Sequence, residues 1–248
     1  MTVKINKFVP KRPGLGRHVE HDSRSRNFAF TAPPPTKQID VFWSDPAPVL
    51  DQGELGGCVG WTGADILNTD LFTPIRKAKN GGKYFKDPDA LKFYELATRK
   101  DDISGHYPPD DTGSSGLGLA KALRVAGLID RYTHCFTWSQ FLAAIQTQPV
   151  ALGTIWTNTM SLPDKHGVVR IGSLNEDNII GGHEYMCRGI SFTKSMVLCR
   201  NHWSNTWSTG RYGGKLPGEF WLPFSDLQEL LSSKNQGDVT VLHGTGLP

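Results

Sequence analysis

The sequence predicts an α+β protein in which a helical half precedes a β-rich half. Three observations carry that reading. Apolar residues recur at helical spacing between about residues 58 and 147, and short runs of strand formers replace them after residue 149. No βαβ alternation and no internal repeat connects the two textures, so two packed lobes are expected rather than a doubly wound sheet.

The chain has 248 residues, enough for one or two domains. Residues 1–30 are basic, broken by glycine and without a sustained period. Residues 31–37 (TAPPPTK) read as a stiff extended linker, because consecutive prolines favour polyproline II. The chain therefore divides into an N-terminal segment, residues 1–37, and a body, residues 38–248. The first helix of the body starts at or just before Cys58, after Gly56-Gly57, with Val59, Ile66 and Leu67 on its apolar face. A second begins at Asp87-Pro88, a capping residue followed by proline at the first helical position, and runs to about Lys100. Ala90, Phe93, Tyr94 and Ala97 mark its buried side. A third covers about residues 117–126 and stops at Gly127, the residue that tolerates a left-handed terminator. A fourth covers about residues 138–147. Residues 149–157, 184–190 and 196–201 are the strand candidates, separated by Gly/Ser/Asn clusters.

Apolar residues make up 38%, charged residues 21%, and the net charge is +3. That composition argues against wholesale disorder and against a protein that coats a polyanion. No apolar run approaches the ~18 residues that span a bilayer. The N-terminus has no apolar signal region, so a cytoplasmic location is expected, or a virion or host cell for a phage-encoded chain. Residues 1–26 hold seven Lys/Arg against two acids, leaving 20 basic and 22 acidic side chains in the remainder. A basic segment on a mildly acidic body can bind nucleic acid or lie across the body itself. Nucleic-acid binding normally needs a denser patch with a folded reader, so self-docking or plain solvation is favoured. Four cysteines, Cys58, Cys135, Cys187 and Cys199, form no CxxC pair and no zinc-finger spacing, so reduced thiols and no metal are expected.

The most informative segment is Pro48-Val-Leu-Asp-Gln-Gly-Glu-Leu-Gly-Gly-Cys58. It puts a thiol at a helix start, where unpaired N–H groups and the helix dipole favour the thiolate. Gly56 and Gly57 leave the backbone open to close approach by a substrate. The Gln52 amide and the Cys58 backbone N–H together form a candidate oxyanion hole. A lone cysteine would read as a packed small residue; the glutamine and glycines shift the balance. A thiolate needs a base, and eight histidines make the mere presence of one uninformative. His183 stands out because it follows Gly181-Gly182 and opens a run that turns near Phe192 and returns to Asn201. Both are nine residues from Phe192, so a regular hairpin sets them directly opposite, ~5 Å apart. Asn201 would then hold the imidazole in one tautomer, the third-group logic of a triad. Trp203 and Trp207 follow, and an indole over that hydrogen bond would keep water out.

Gln52…Cys58, His183 after glycines, and Asn201-x-Trp203-x₃-Trp207 resemble the papain-like cysteine peptidases in chain order. That family places its His and Asn ~130–150 residues after the cysteine; here the offsets are 125 and 143. The DQGELGGC and DTGSSG…AKAL segments look most like the compact bacterial and phage branch. The resemblance spans about residues 45–224. It implies a helical lobe carrying Cys58, a β-barrel-like lobe carrying His183 and Asn201, and a cleft between them. It also implies peptide-bond hydrolysis without a cofactor, with Cys58 as nucleophile, His183 as partner and proton donor, Asn201 as orienter and Gln52 at the oxyanion. Gly56, Gly57, Ser114, Ser115, Gly182 and Trp203 would line the substrate cleft. Residues 1–37 would suit a short propeptide docked in it. The family's Cys-Gly-Ser-Cys-Trp is replaced by Leu55-Gly-Gly-Cys-Val59, His202 follows the asparagine, and Glu184 follows the histidine.

Other signals are weaker. Asp111-Thr112-Gly113 matches an aspartic-protease fingerprint, but that chemistry needs two such aspartates and only one Asp-Thr-Gly exists. Gly113-x-x-Gly116-x-Gly118 lacks the strand and the Lys-Ser/Thr of a phosphate loop. An inactive papain-fold binding module, or acyl-transfer or isopeptide chemistry on the same triad, remains open.

Overall fold

The computed structural model describes residues 3–32, 37–208 and 217–244. The proline-rich linker lies partly outside the described residues, at 33–36.

In chain order the N-terminal segment contributes β1 (Val3–Asn6) and β2 (Val19–Asp22), an antiparallel pair, and a 3₁₀ turn over Ser23–Phe28. The body begins with β3 (Val41–Phe42) and then builds its helices: α1 (Cys58–Asn68), α2 (Thr73–Asn80), α3 (Asp87–Ala97) and α4 (Gly116–Val125). After them come β4 (Arg131–His134), α5 (Trp138–Ile145), β5 (Val150–Thr157), β6 (Ile179–Ser191), β7 (Met196–Arg200), β8 (Glu219–Pro223), α6 (Phe224–Leu230) and β9 (Asp238–His243).

Local chemistry sets these boundaries. α3 carries Pro88 in its first turn, where a missing N–H costs nothing, and Asp89 reaches back to the Lys86 N–H at 3.0 Å. The Ser115 hydroxyl accepts from the Gly118 N–H at 2.9 Å to start α4, and Gly127 follows its end at φ 67°. Thr137 and Gln140 cap α5 reciprocally. α1 is buried along its whole length, between α3 on one side and β6 on the other.

Two large apolar cores result, beside a small cluster of Val168, Leu198 and Trp221. One lies among α1, α3 and α4, with Val59, Ile66, Leu67, Phe72, Tyr94, Leu119 and Leu123 at its centre. The other lies under the sheet, around Trp156, Tyr185, Ile190, Val197, Phe220 and Leu222. All seven strands of the main sheet pair antiparallel, in the order β4-β9-β5-β6-β7-β8, with β3 on β6. Its end strands β4 and β8 do not pair among the described residues. The barrel-like closure expected from the resemblance is therefore absent, and the sheet is open. Among the described residues no helix is long and apolar enough to cross a membrane.

Candidate active site

Cys58 is the first residue of α1, with Gly57 as an N-cap that offers no side chain to the helix's free N–H groups. No capping side chain therefore competes for those donors where the sulfur sits. Gly57 points its missing side chain at Trp61 and Tyr94 rather than into the cleft, so glycine there serves helix packing. Gly56 lies between Asp111 and Gly16. Its N–H donates to Asp111 Oδ2 at 2.8 Å, and Asp111 also accepts the Tyr94 hydroxyl, which fixes the loop before the thiol. Asp111 and Tyr94 were not recognisable as site residues, since their partners lie 55 and 17 positions from Asp111.

β6 brings His183 to the sheet's edge of the cleft. Its Nε2 lies 2.8 Å from Asn201 Oδ1, and its Nδ1 is buried without a hydrogen-bond partner. The two residues are not opposite one another in a ladder. Met186 pairs with Arg200 and Cys187 with Cys199, the register shifts by one at a bulge beside Arg188, and β7 ends at Arg200. The turn occupies residues 192–195, with Ser195 at φ 53°, rather than centring on Phe192. The symmetric-hairpin arithmetic is thus wrong, yet the side chains meet, because Asn201 leaves the strand and reaches back.

Aromatic rings close over this pair. Trp203 lies 4.7 Å from the His183 ring at 34°, and Trp156 meets the same ring edge-on at 4.9 Å. Trp207 packs against Trp203, Trp156 and Phe220. Trp156, on β5, escaped the sequence reading because a tryptophan in a wholly buried strand carries no local mark. Gln52 is buried, with Nε2 donating to Leu55 O at 2.7 Å, which leaves its second N–H for another acceptor. Beneath Asn201, the buried Arg200 binds the Asp45 carboxylate and donates to Ala47 O at 2.8 Å, while Asp65 sits 3.9 Å from its Nε. His202 places Nδ1 3.4 Å from Asp65. Burial lowers the His202 pKa to about 3, so the ring behind the site is neutral.

Residues 7–18 run between the lobes. Lys11 N donates to Ile180 O at 2.8 Å and Gly14 N to Glu54 O at 3.0 Å. Ser114 N donates to Gly16 O at 2.9 Å, Arg17 N to Gly182 O at 3.1 Å, and His18 N to Ser114 O at 2.8 Å. The backbone groups of Ser114 and Gly182 thus clamp the segment from both sides. Ser115, beside them, donates its hydroxyl to Glu20. The fit is close: a Cβ on Gly16 would stand 1.8 Å from Gly56 O, so only glycine passes there. The Arg12 guanidinium lies over Trp203 at 5.4 Å. Of the two fates open to this basic segment, docking on the body is the one observed.

That cover changes the electrostatics expected at the thiol. Backbone hydrogen bonds from Glu184, Gly16 and Val59 reach the Cys58 sulfur and favour the thiolate. Burial outweighs them, with Glu184 charge adding to it, and pushes the Cys58 pKa up to about 12. Burial likewise holds His183 well below its ordinary value, helped by His202, against the opposing Asn201 hydrogen bond. With the segment in place burial favours a neutral thiol at Cys58 and a neutral imidazole at His183, not the thiolate expected at an open helix start.

No sequence-family model matches the chain, and no curated protein matches it by sequence. Its architecture, a two-lobed α+β body with the cysteine on the helical side and the histidine on the sheet, does have counterparts among solved structures. Xylellain, a cysteine protease from Xylella fastidiosa, superposes with TM-score 0.68 at 18% identity, over 99% of this chain and 100% of its own. proCathepsin B S9 from Trypanosoma congolense gives 0.60 at 9% identity, over 94% and 87%. The ragweed pollen allergen Amb a 11, a cysteine protease in its proform, gives 0.53 at 14% identity, over 94% and 71%. The chain has the papain-like cysteine protease fold.

Proposed function

We propose that the protein is a cysteine peptidase that hydrolyses peptide bonds through Cys58, His183 and Asn201. The observation that carries the reading is the buried 2.8 Å contact between His183 Nε2 and Asn201 Oδ1 beneath Trp203. It commits one ring nitrogen to the asparagine and leaves Nδ1 without a partner. In this reading Nδ1 takes the Cys58 proton, the thiolate attacks the scissile carbonyl, and the imidazolium protonates the departing amine. Water, deprotonated by the same histidine, then releases the acyl group and restores the thiol. The Cys58 backbone N–H and the free Gln52 amide N–H would hold the oxyanion. Gly56, Ser114, Ser115, Gly182 and Trp203 would line the substrate path.

Residues 1–37 act in this account as a short propeptide-like segment on a peptidase domain of residues 38–248. Its support is the clamp of Gly16, Arg17 and His18 between Ser114 and Gly182. Two of the similar structures are described as proforms, and the docked segment here invites the same role.

The test is thiol labelling together with hydrolysis of a mixed peptide substrate pool. Displacing the segment by Gly16→Val should give rapid single labelling and turnover, both lost on adding Cys58→Ala. Turnover that survives Cys58→Ala would overturn the mechanism. Labelling without any turnover would favour an inactive binding module on the same fold.

A further inference from the structure

The pocket that receives Arg17 is built by the body. Arg17 is fully buried, and its Nη2 donates to Gln236 O at 2.8 Å and to the Asp238 carboxylate. Glu184, one residue past His183, turns a wholly buried carboxylate toward the same space, and neither of its oxygens has a hydrogen-bond partner. The floor is glycine. A Cβ on Gly153 would stand 2.6 Å from Glu184 Oε2, 2.7 Å from Arg17 Nε and 2.9 Å from Asp238 Oδ1. A Cβ on Gly116 would stand 2.8 Å from Glu184 Oε1 and 3.1 Å from Asp238 Oδ1. Either side chain would fill the slot.

The acceptors outnumber what the occupant uses. Two carboxylates and a carbonyl face one guanidinium, whose Nε and Nη1 make no hydrogen bond. Emptied, the pocket would leave the buried Glu184 carboxyl and the partly exposed Asp238 carboxylate without a cation, a state that a cationic side chain relieves. Burial, with Asp238 adding to it, pushes the Glu184 pKa well up, and Arg17 opposes this. Acceptors reach the slot from Glu184, Gln236 and Asp238, an arrangement that suits a planar fork of donors better than an ammonium. Beyond it, past Gly116 and Asp238, opens a cavity of about 430 Å³ reaching Ser115, His134 and Thr240.

The pocket's place in the cleft matters most. The residue that fills it is clamped at its backbone by Gly182, which precedes His183, and its neighbour Gly16 packs against Gly56, two residues before Cys58. A side chain in this pocket therefore sits one residue away from the backbone that covers the loop carrying the thiol. Building on the peptidase reading, we propose that this is the enzyme's selection pocket, that it takes an arginine side chain of the substrate peptide, and that Arg17 occupies it as an internal stand-in. Glu184 and Asp238 are then specificity residues, and the N-terminal segment competes with arginine-bearing peptides for one seat.

Two measurements on the full chain test this. In Arg17→Ala, peptides that differ at a single position should show one position where arginine is cleaved at least tenfold faster, by kcat/KM, than norleucine. Lysine should fall between them, and adding Asp238→Asn should bring the ratio below threefold. Cleavage with no arginine preference at any position, or a preference untouched by Asp238→Asn, would overturn the proposal. The second readout needs no turnover. Millimolar propylguanidinium should raise the melting temperature of Arg17→Ala by several degrees, but not that of Arg17→Ala/Asp238→Asn, and propylammonium should do less. In wild-type protein the same propylguanidinium should speed Cys58 labelling by evicting Arg17, which covers the case in which Arg17→Ala does not fold. Absence of both effects overturns the pocket. Guanidinium binding without cleavage of any peptide would instead remove the peptidase reading and leave the pocket standing.

Discussion

Arg17 and Arg200 are both fully buried, and both face two carboxylates, yet they are built differently. Arg200 belongs to β7 and is tied to the body's own chain at Asp45 and Ala47, with Asp65 behind it. Arg17 arrives on a separate segment, leaves two of its nitrogens without hydrogen bonds where Arg200 leaves only Nε, and binds Asp238, whose side chain is 29% exposed. One arginine is part of the foundation under Asn201. The other is a plug. The same side chain thus serves permanence or removability according to how many of its donors are met and whether the segment carrying it can leave.

The largest effect should fall on the foundation. Arg200→Ala leaves Asp45 and Asp65 buried without their cation, a loss of about 3–5 kcal/mol in urea-induced unfolding. Arg17→Ala should cost less than about 2 kcal/mol in the same measurement, because Asp238 can be hydrated. Equal losses would erase the distinction between the two arginines.

Activity should then separate the members of the site. Measured in the Gly16→Val background, His183→Ala should abolish detectable kcat. Asn201→Ala should retain some, with kcat/KM down roughly 30-fold, equivalent to about 2 kcal/mol of transition-state stabilisation. If Asn201→Ala matches His183→Ala, the asparagine does more than orient the ring.

A pH profile sharpens the role of the cover. A raised thiol pKa means that protonated, unreactive Cys58 persists as pH climbs. In wild-type protein the Cys58 labelling rate should therefore keep rising with pH toward about 12, the value that burial beneath the segment sets. In Gly16→Val the burial is removed while the Glu184 and Val59 backbone donors at the sulfur remain, so the profile should level off at lower pH. Superimposable profiles would mean that the segment does not govern the thiol. The smallest effect is expected at Trp203→Phe, which keeps a ring over His183 and should change kcat/KM by less than about tenfold, or 1.4 kcal/mol.

How much of this was legible beforehand follows from the range of each interaction. The starts of α1 and α3, the Gly127 terminator and the cores of β5 and β7 are local matters of capping and period, and the sequence reading places them within a few residues. Cys58, His183, Asn201 and Trp203 were singled out from short motifs, and the structure gathers His183, Asn201 and Trp203 into one contact. The ladder register was not legible, because the bulge beside Arg188 has no signature in a strand that already reads well. Nor was the Arg17 pocket. Its two sides are separated by 221 positions between Arg17 and Asp238, and β9, which carries Asp238, is a short strand at the end of the chain. Glu184 was noticed as an oddity next to the histidine; its meaning appears only when Gly153, Gly116 and Asp238 surround it. The fit of Gly16 against Gly56 likewise depends on two loops that nothing local brings together.

The central claim is that Cys58 is an activated nucleophile silenced by the chain's own N-terminal segment. Its most direct test is iodoacetamide labelling at pH 6, followed by intact mass, in wild type, Arg17→Ala and Arg17→Ala/Cys58→Ala. At that pH ordinary thiols, with pKa ~8.5, are almost wholly protonated and slow. The account predicts slow labelling of wild type, rapid addition of a single label to Arg17→Ala, and loss of that label in the double variant. If Cys58 in Arg17→Ala reacts no faster than the half-buried Cys135, the thiol is not activated and the account is contradicted.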